Sequence, residues 1–393
     1  MRTSYYRLLA RQVQEQTVTL LLRQLRPPDY SALCTAWVLL SSLVLAATSR
    51  ISLAAVAVLQ PGSPSRETLR QALGATLPHY AELRQRLAAL LVGALPRRLQ
   101  QRQPGRRYPL AIDLHGVPYY KRHGTLPGHV RKGKRFPGTA YGHLYATASL
   151  LRKGQYYVVA LTPYDPGESM AAVVRRLLQQ ATRNGFPPRY VLMDRSFWSA
   201  EVFRYLQRAR YPFLIPVLAR GKKPTKPGGP TGTQVFLHAR QTGWYTYRVA
   251  NRQKQSAEVT IVVQRHNHKG WRGKHGRYAW AYAMWRMDLS SIAWVRQSYR
   301  RRFRIESSYR LLEAARGRTT SRDEGWRLWY VLLAALLLNG WLELRRVASR
   351  TDLCSSSEWR WWNRLLVALI YVLLLESARS APQGTSMVNL HQE

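Results

Sequence analysis

"YPLAIDLHG" (residues 108–116) decides how the rest of this chain is read. Leu110, Ala111, Ile112 and Leu114 surround a single carboxylate, Asp113, and Gly116 closes the run, so the segment reads as a buried strand. An unpaired carboxylate in such a place would be costly. Asp113 is therefore a capping or ion-paired residue, or one kept for chemistry.

Working outward, "TAYGHLYATASLL" (139–151) and "QYYVVALTP" (155–163) read as two further strands. "MAAVVRRLLQQATRNG" is helical, "RYVLMD" (189–194) a short buried strand, "AEVFRYLQRAR" helical and "YPFLIPVL" (211–218) a strand. The order strand, strand, strand, helix, strand, helix, strand predicts an α/β fold on a mixed sheet. "ARGKKPTKPGGPTGT" (219–233) interrupts it. "QVFLHA", "WYTYRVA", "EVTIVVQRH" and "YAWAYAMW" then alternate as antiparallel strands and predict an all-β insertion to about residue 285. Helical spacing returns at 291–316.

Upstream, residues 1–100 show helical spacing. "ISLAAVAVLQPGSPSRETLRQALGATL" (51–77) offers a short helix, a Gly/Pro/Ser turn and a second helix opening with Ser65, Glu67, Thr68 and Arg70. It reads as a helix-turn-helix whose second helix enters a major groove, or as plain bundle packing. The expected divisions are a helical region with the DNA-reading helix pair (1–105), the first part of an α/β core (106–220), the β insertion (221–286), a helix completing the core (287–348) and a helical tail (349–393).

Composition narrows the partner. The 61 Lys and Arg against 20 Asp and Glu give a formal charge of +41, spread along the chain. Self-repulsion on that scale points to a polyanion as partner, nucleic acid ahead of an anionic membrane surface. Cys34 and Cys354 are too few for a disulfide framework, which suits a reducing cytosol. The N-terminus lacks the apolar core of a signal peptide. "LWYVLLAALLLNGWL" (328–342) and "LLVALIYVLLLE" (365–376) are shorter than the roughly 18–20 apolar residues of a membrane span and read as buried core helices.

Of seven aspartates, Asp29, Asp165, Asp288, Asp323 and Asp352 lie in polar or turn-like contexts. Asp113 and Asp194 instead adjoin apolar strands, and adjacent parallel strands would bring them to one sheet edge. A third carboxylate on a later helix would complete a site for a hard divalent cation such as Mg²⁺. "YRRRFRIESSYRLLEAARGR" (299–318) supplies it in Glu306, amid seven arginines. Tyr299, Arg302, Glu306, Arg310 and Glu313 fall within roughly 80° of helix surface. Taken alone, Glu306 reads first as a surface partner of Arg302 or Arg310.

These residues carry a resemblance. Tyr299, Arg302 and Glu306 reproduce the Tyr-x-x-Arg-x-x-x-Glu signature of DDE transposases of the insertion-sequence-four group. "MDRSFWS" resembles that group's second-Asp motif and "AIDLHG" its first. The strand order resembles its ribonuclease-H-like core, including a β insertion between the second Asp and the Glu. The signature's terminal Lys is replaced by Glu313, so Arg310 stands in for it or the chain belongs to a variant subgroup.

The resemblance implies a DNA transposase that binds terminal inverted repeats, hydrolyses a phosphodiester at the element's end and joins the freed 3′-hydroxyl to target DNA. Asp113, Asp194 and Glu306 would hold two Mg²⁺, with Mn²⁺ as a substitute. It further implies a homodimer on double-stranded DNA, in a bacterial or archaeal cytoplasm and associated with the nucleoid. Lys121, Arg122, Lys132 and Arg135 of "YYKRHGTLPGHVRKGKR" (119–135) are candidate phosphate contacts or a solvated loop. Tyr299, Arg302, Arg310 and Arg70 are further candidate DNA contacts. Trp244 and Trp271 are core residues or a stacking surface for an extruded base. The competing readings are a transposase-derived DNA-binding protein without activity, a nuclease or resolvase that cuts without joining, and a basic membrane-associated protein.

Overall fold

The computed structural model describes residues 2–59, 62–101, 104–120, 126–152, 155–224, 228–269, 275–287 and 291–348. They fall into two compact units, Met1–Ala81 with Leu312–Glu393, and Glu82–Leu311.

The first unit is helical: α1 (Arg2–Leu25), α2 (Ala36–Ser49), α3 (Leu53–Leu59), α4 (Arg66–Thr76) and the late helix α11 (Glu324–Ala348). Side-chain caps set the helix starts. Thr35 accepts from Val38 N, Ser65 from Thr68 N, and Asp323 from Trp326 N, each satisfying a donor that the first turn leaves over. Helix α11 contains the first oily stretch and packs on α1 and α2. No residue from Leu328 to Leu338 is more than 3% exposed, as expected of a core helix. The second oily stretch, 365–376, lies outside the described residues, as do Cys354 and the tail beyond residue 348. Helices α3 and α4 pack on each other as the helix pair read from 51–77.

The second unit opens with α5 (Tyr80–Gly93) and α6 (Arg97–Gln100). Its strands are β1 (Tyr108–Pro118), β2 (Arg131–Phe136), β3 (Thr139–Arg152), β4 (Gln155–Pro163), β5 (Pro188–Met193), β6 (Phe213–Pro216), β7 (Gly243–Ala250), β8 (Ser256–Lys269) and β9 (His275–Trp285). Helices α7 (Met170–Arg183), α8 (Ala200–Arg208), α9 (Gln234–Leu237) and α10 (Ile292–Ala314) accompany them. One sheet runs β2-β3-β1-β5-β6-β9-β8-β7, with β4 on the same edge of β3 as β2, further along. β1, β5 and β6 are parallel and the other pairings antiparallel, a mixed sheet of the ribonuclease-H-like kind.

Strand alternation sorts the layers. Phe213 stacks on Phe203 of α8, with ring centroids 5.1 Å apart. Its neighbour Leu214 points the other way, into a cluster with Ala111, Leu192, Tyr282 and the α10 residues Val295 and Tyr299. So α8 covers one face and α10 the other. Helix α7 is capped by Ser169 and buries Val173, Val174, Leu177, Leu178 and Ala181 at helical spacing. Full burial of each large apolar side chain contributes about 1.5–3 kcal/mol.

Two expectations need correction. "QVFLHA" is not a strand: residues 234–237 form the short helix α9, where Phe236 packs on the rings of Tyr245 and Tyr247 and tertiary contact overrides local pattern. The basic run 119–135 is not all loop, because its last residues, 131–135, belong to β2. The remaining strands of the expected insertion, β7–β9, join the central sheet through the pairing of β9 with β6.

Candidate active site

The parallel ladder between β1 and β5 places the two sequence-selected aspartates. Its last rung pairs Ile112 with Met193, so Asp113 and Asp194 each stand one residue beyond it. Ala111 and Leu192 belong to the cluster on the α10 face. With side chains alternating, Asp113 and Asp194 face α10 as well.

Local hydrogen bonds occupy one oxygen of each carboxylate. Asp113 Oδ1 accepts from Leu114 N at 2.8 Å. Asp194 Oδ1 accepts from Ser196 N at 2.8 Å and from the Ser196 hydroxyl, capping the short turn Arg195–Phe197. The Oδ2 atoms converge on one cation. Arg302 Nη2 lies 3.0 Å from Asp113 Oδ2 and 3.8 Å from Asp194 Oδ2, with the Arg302 side chain only 6% exposed.

Helix α10 supports this arrangement from below. Tyr299, one turn before Arg302, is 3% exposed and packs on Tyr282 of β9 with ring centroids 5.0 Å apart. Its hydroxyl accepts from Arg302 Nη1 at 3.4 Å. Burial pushes the Tyr299 phenol well above its ordinary pKa, with Arg302 opposing and Asp194 adding to the shift, so the group stays neutral. Tyr299 and Arg302, candidate DNA contacts by sequence, are both buried, the arginine against the aspartates.

The other candidates are placed unevenly. Glu306 and Arg310 lie on α10, four and eight residues beyond Arg302, but their side chains are outside the described residues. Glu313 is exposed. Lys132 is exposed on β2, while Lys121, Arg122 and the Arg135 side chain lie outside the described residues, as does Trp271. Trp244 is 45% exposed on β7. Arg70 is exposed on α4 and pairs with Glu67 at 2.5 Å. With Arg66 and Arg318 it lines a cleft of about 670 Å³ in the first unit, backed by Trp326 and Tyr330.

The sequence pattern does not mark Ser196 as the residue that orients Asp194, nor Arg302 as a partner of both aspartates. The signal for Ser196 was its place two residues after an Asp at a strand end, the spacing of a side-chain-capped turn.

The pair of Oδ2 atoms suits a cation, since two carboxylates already share one guanidinium there. Among the described residues, no group of three or more His, Cys, Asp or Glu is close enough to hold a metal.

No curated protein matches the chain. In fold it is similar to the cryo-EM structure of the piggyBac transposase synaptic complex with hairpin DNA, at a TM-score of 0.54 and 12% identity, covering 95% of this chain and 82% of that one. The family profile described as "Transposase DDE domain" matches residues 104–338, a span that includes Asp113, Asp194 and Glu306. With more than half of its length inside that match, the chain belongs to the DDE-domain transposase family.

Proposed function

We propose that this chain is the transposase of a DNA insertion sequence, binding the element's terminal repeats and carrying out phosphodiester hydrolysis and strand transfer. One observation carries the reading: the Oδ2 atoms of Asp113 and Asp194 converge on a single positive charge at the carboxyl end of adjacent parallel strands. The spacing of Tyr299, Arg302 and Glu306 supports the insertion-sequence-four group.

Asp113, Asp194 and Glu306 are the residues that would hold Mg²⁺, with Mn²⁺ as a substitute. Bound there, divalent ions supply an activated water and charge stabilisation at the leaving oxygen. The protein's own contribution is orientation. Leu114 N and Ser196 fix one oxygen of each aspartate, leaving Oδ2 turned toward the shared centre. The tilted Tyr299–Tyr282 ring contact holds α10 against the sheet beneath them.

Double-stranded DNA, both element ends and target, is the partner that suits a chain of formal charge +41 in this family. We place α4 with Arg66 and Arg70 at the element's end, and Lys121, Arg122, Lys132, Arg135 and Arg310 along the path to the aspartates. The acting form is a homodimer, in a bacterial or archaeal cytoplasm.

The test is incubation of the chain with its flanking genomic DNA and Mg²⁺, scoring binding, nicking and joining in one gel. Nicking with joining is the expected result. Nicking alone would make the chain a nuclease, and binding alone a DNA-binding derivative.

A further inference from the structure

Arg302 is paired with both aspartates. Its Nη2 reaches both Oδ2 atoms, at 3.0 and 3.8 Å, and its Nη1 reaches the Tyr299 hydroxyl at 3.4 Å. Those oxygens are the ones that a divalent ion would need.

We propose that Arg302 is a built-in counter-cation for Asp113 and Asp194, and that a divalent ion enters the site only by displacing its guanidinium. The inference rests on reading the two aspartates as metal ligands. Each carboxylate has its Oδ1 tied to local backbone and its Oδ2 turned toward Arg302. Two such oxygens facing one another repel unless a cation lies between them. A Mg²⁺ ligand oxygen sits about 2.0–2.1 Å from the ion. An ion that close to both Oδ2 atoms, with Nη2 still 3.0 Å from one of them, would bring +2 and +1 charges into contact in a largely buried site. The two cations exchange; they do not add.

The exchange has a consequence for DNA. A released guanidinium is matched to phosphate oxygens, which it binds in a bidentate fork. DNA that captures Arg302 therefore favours metal binding, and metal favours DNA binding by the same factor. The helix that supplies the counter-cation also carries Glu306 one turn further on, so both events act on α10.

The experiment is a Mn²⁺ titration of the full chain without DNA, reading free Mn²⁺ by its EPR signal, for the unaltered protein, Arg302→Gln, Arg302→Lys and Asp113→Asn. Arg302→Gln is expected to bind Mn²⁺ about tenfold more tightly, within the usual range of coupling between sites. Arg302→Lys should fall between, because a compact ammonium cannot reach both carboxylates and Tyr299. Asp113→Asn should lose the site. Without divalent ion, Arg302→Gln should melt at a lower temperature than the unaltered protein, and Mn²⁺ should narrow the gap. Added duplex should raise Mn²⁺ affinity in the unaltered protein but not in Arg302→Gln.

A purely structural arginine would give the opposite sign, weaker Mn²⁺ binding on its removal. Equal or weaker binding in folded Arg302→Gln, with Asp113→Asn still abolishing the site, would overturn the counter-cation and leave the metal site standing. If Arg302→Gln fails to fold, unchanged affinity in Arg302→Lys would overturn it equally. Absence of any Asp113-dependent Mn²⁺ binding would remove the metal-site reading itself and the inference with it.

Discussion

Asp113 and Asp194 each stand one residue past the last rung of the parallel ladder between β1 and β5, Ile112 opposite Met193. Parallel register makes that offset equal on both strands, so the carboxylates share a face as well as a sheet edge. Helix α10 lies on that face, and its Arg302 closes the arrangement.

Asp113→Ala, Asp194→Ala and Glu306→Ala are each expected to lower cleavage by on the order of a hundredfold or more, the scale of losing a metal's support. DNA affinity should stay within about twofold, since many phosphate contacts share it. A gel-shift titration beside a nicking assay separates the two. Substantial Mg²⁺-dependent cleavage by any one variant would remove that residue from the site.

Tyr299→Phe keeps the ring against Tyr282 and loses only the hydroxyl contact with Arg302, so its stability should fall by about 1 kcal/mol. Tyr299→Ala should cost about 3–5 kcal/mol, because it empties a buried ring's place in the α10–sheet core. Urea unfolding midpoints measure both.

End recognition should depend on α4. Deleting the N-terminal region is a poor test, since α11 buries its apolar surface against α1 and α2 and would be laid bare. Arg66→Ala and Arg70→Ala leave that core alone. Each should lower the salt dependence of binding by about one phosphate contact and reduce discrimination between cognate and random DNA. Unchanged discrimination in a competition assay would return α3 and α4 to plain packing.

Gly317→Ala should destabilise the first unit by about 1–3 kcal/mol. An added Cβ would clash with the ring of Tyr330, which is 3% exposed and has little room to yield. Thermal unfolding of the full chain reads the loss.

A pH dependence follows from Glu168. Its bidentate contact with Arg176, at 2.5 and 2.9 Å, holds the carboxyl below its ordinary pKa. A group depressed in the folded state contributes stability above its unfolded pKa and loses it as pH falls through the folded value. Glu168→Gln should therefore cost about 1 kcal/mol at pH 7, discounted for partial exposure. The difference should close in acid, and paired urea unfolding curves at pH 7 and pH 3 test it.

Local pattern determined much of this protein. Short apolar runs marked β1, β3, β4, β5 and β6, helical spacing marked α7, α8, α10 and α11, and a lone Asp beside an apolar strand marked each of the two carboxylates. These are short-range properties, set by period and by the cost of burying charge. Tertiary contacts decided what period cannot encode. Phe236 turned the α9 segment from strand to helix by packing on Tyr245 and Tyr247. The pairing of β9 with β6 joined β7–β9 to the central sheet. Arg302 read in sequence as one arginine among seven facing DNA, yet it lies between Asp113 and Asp194 because α10 docks on their face of the sheet, a placement fixed by contacts far apart in the chain.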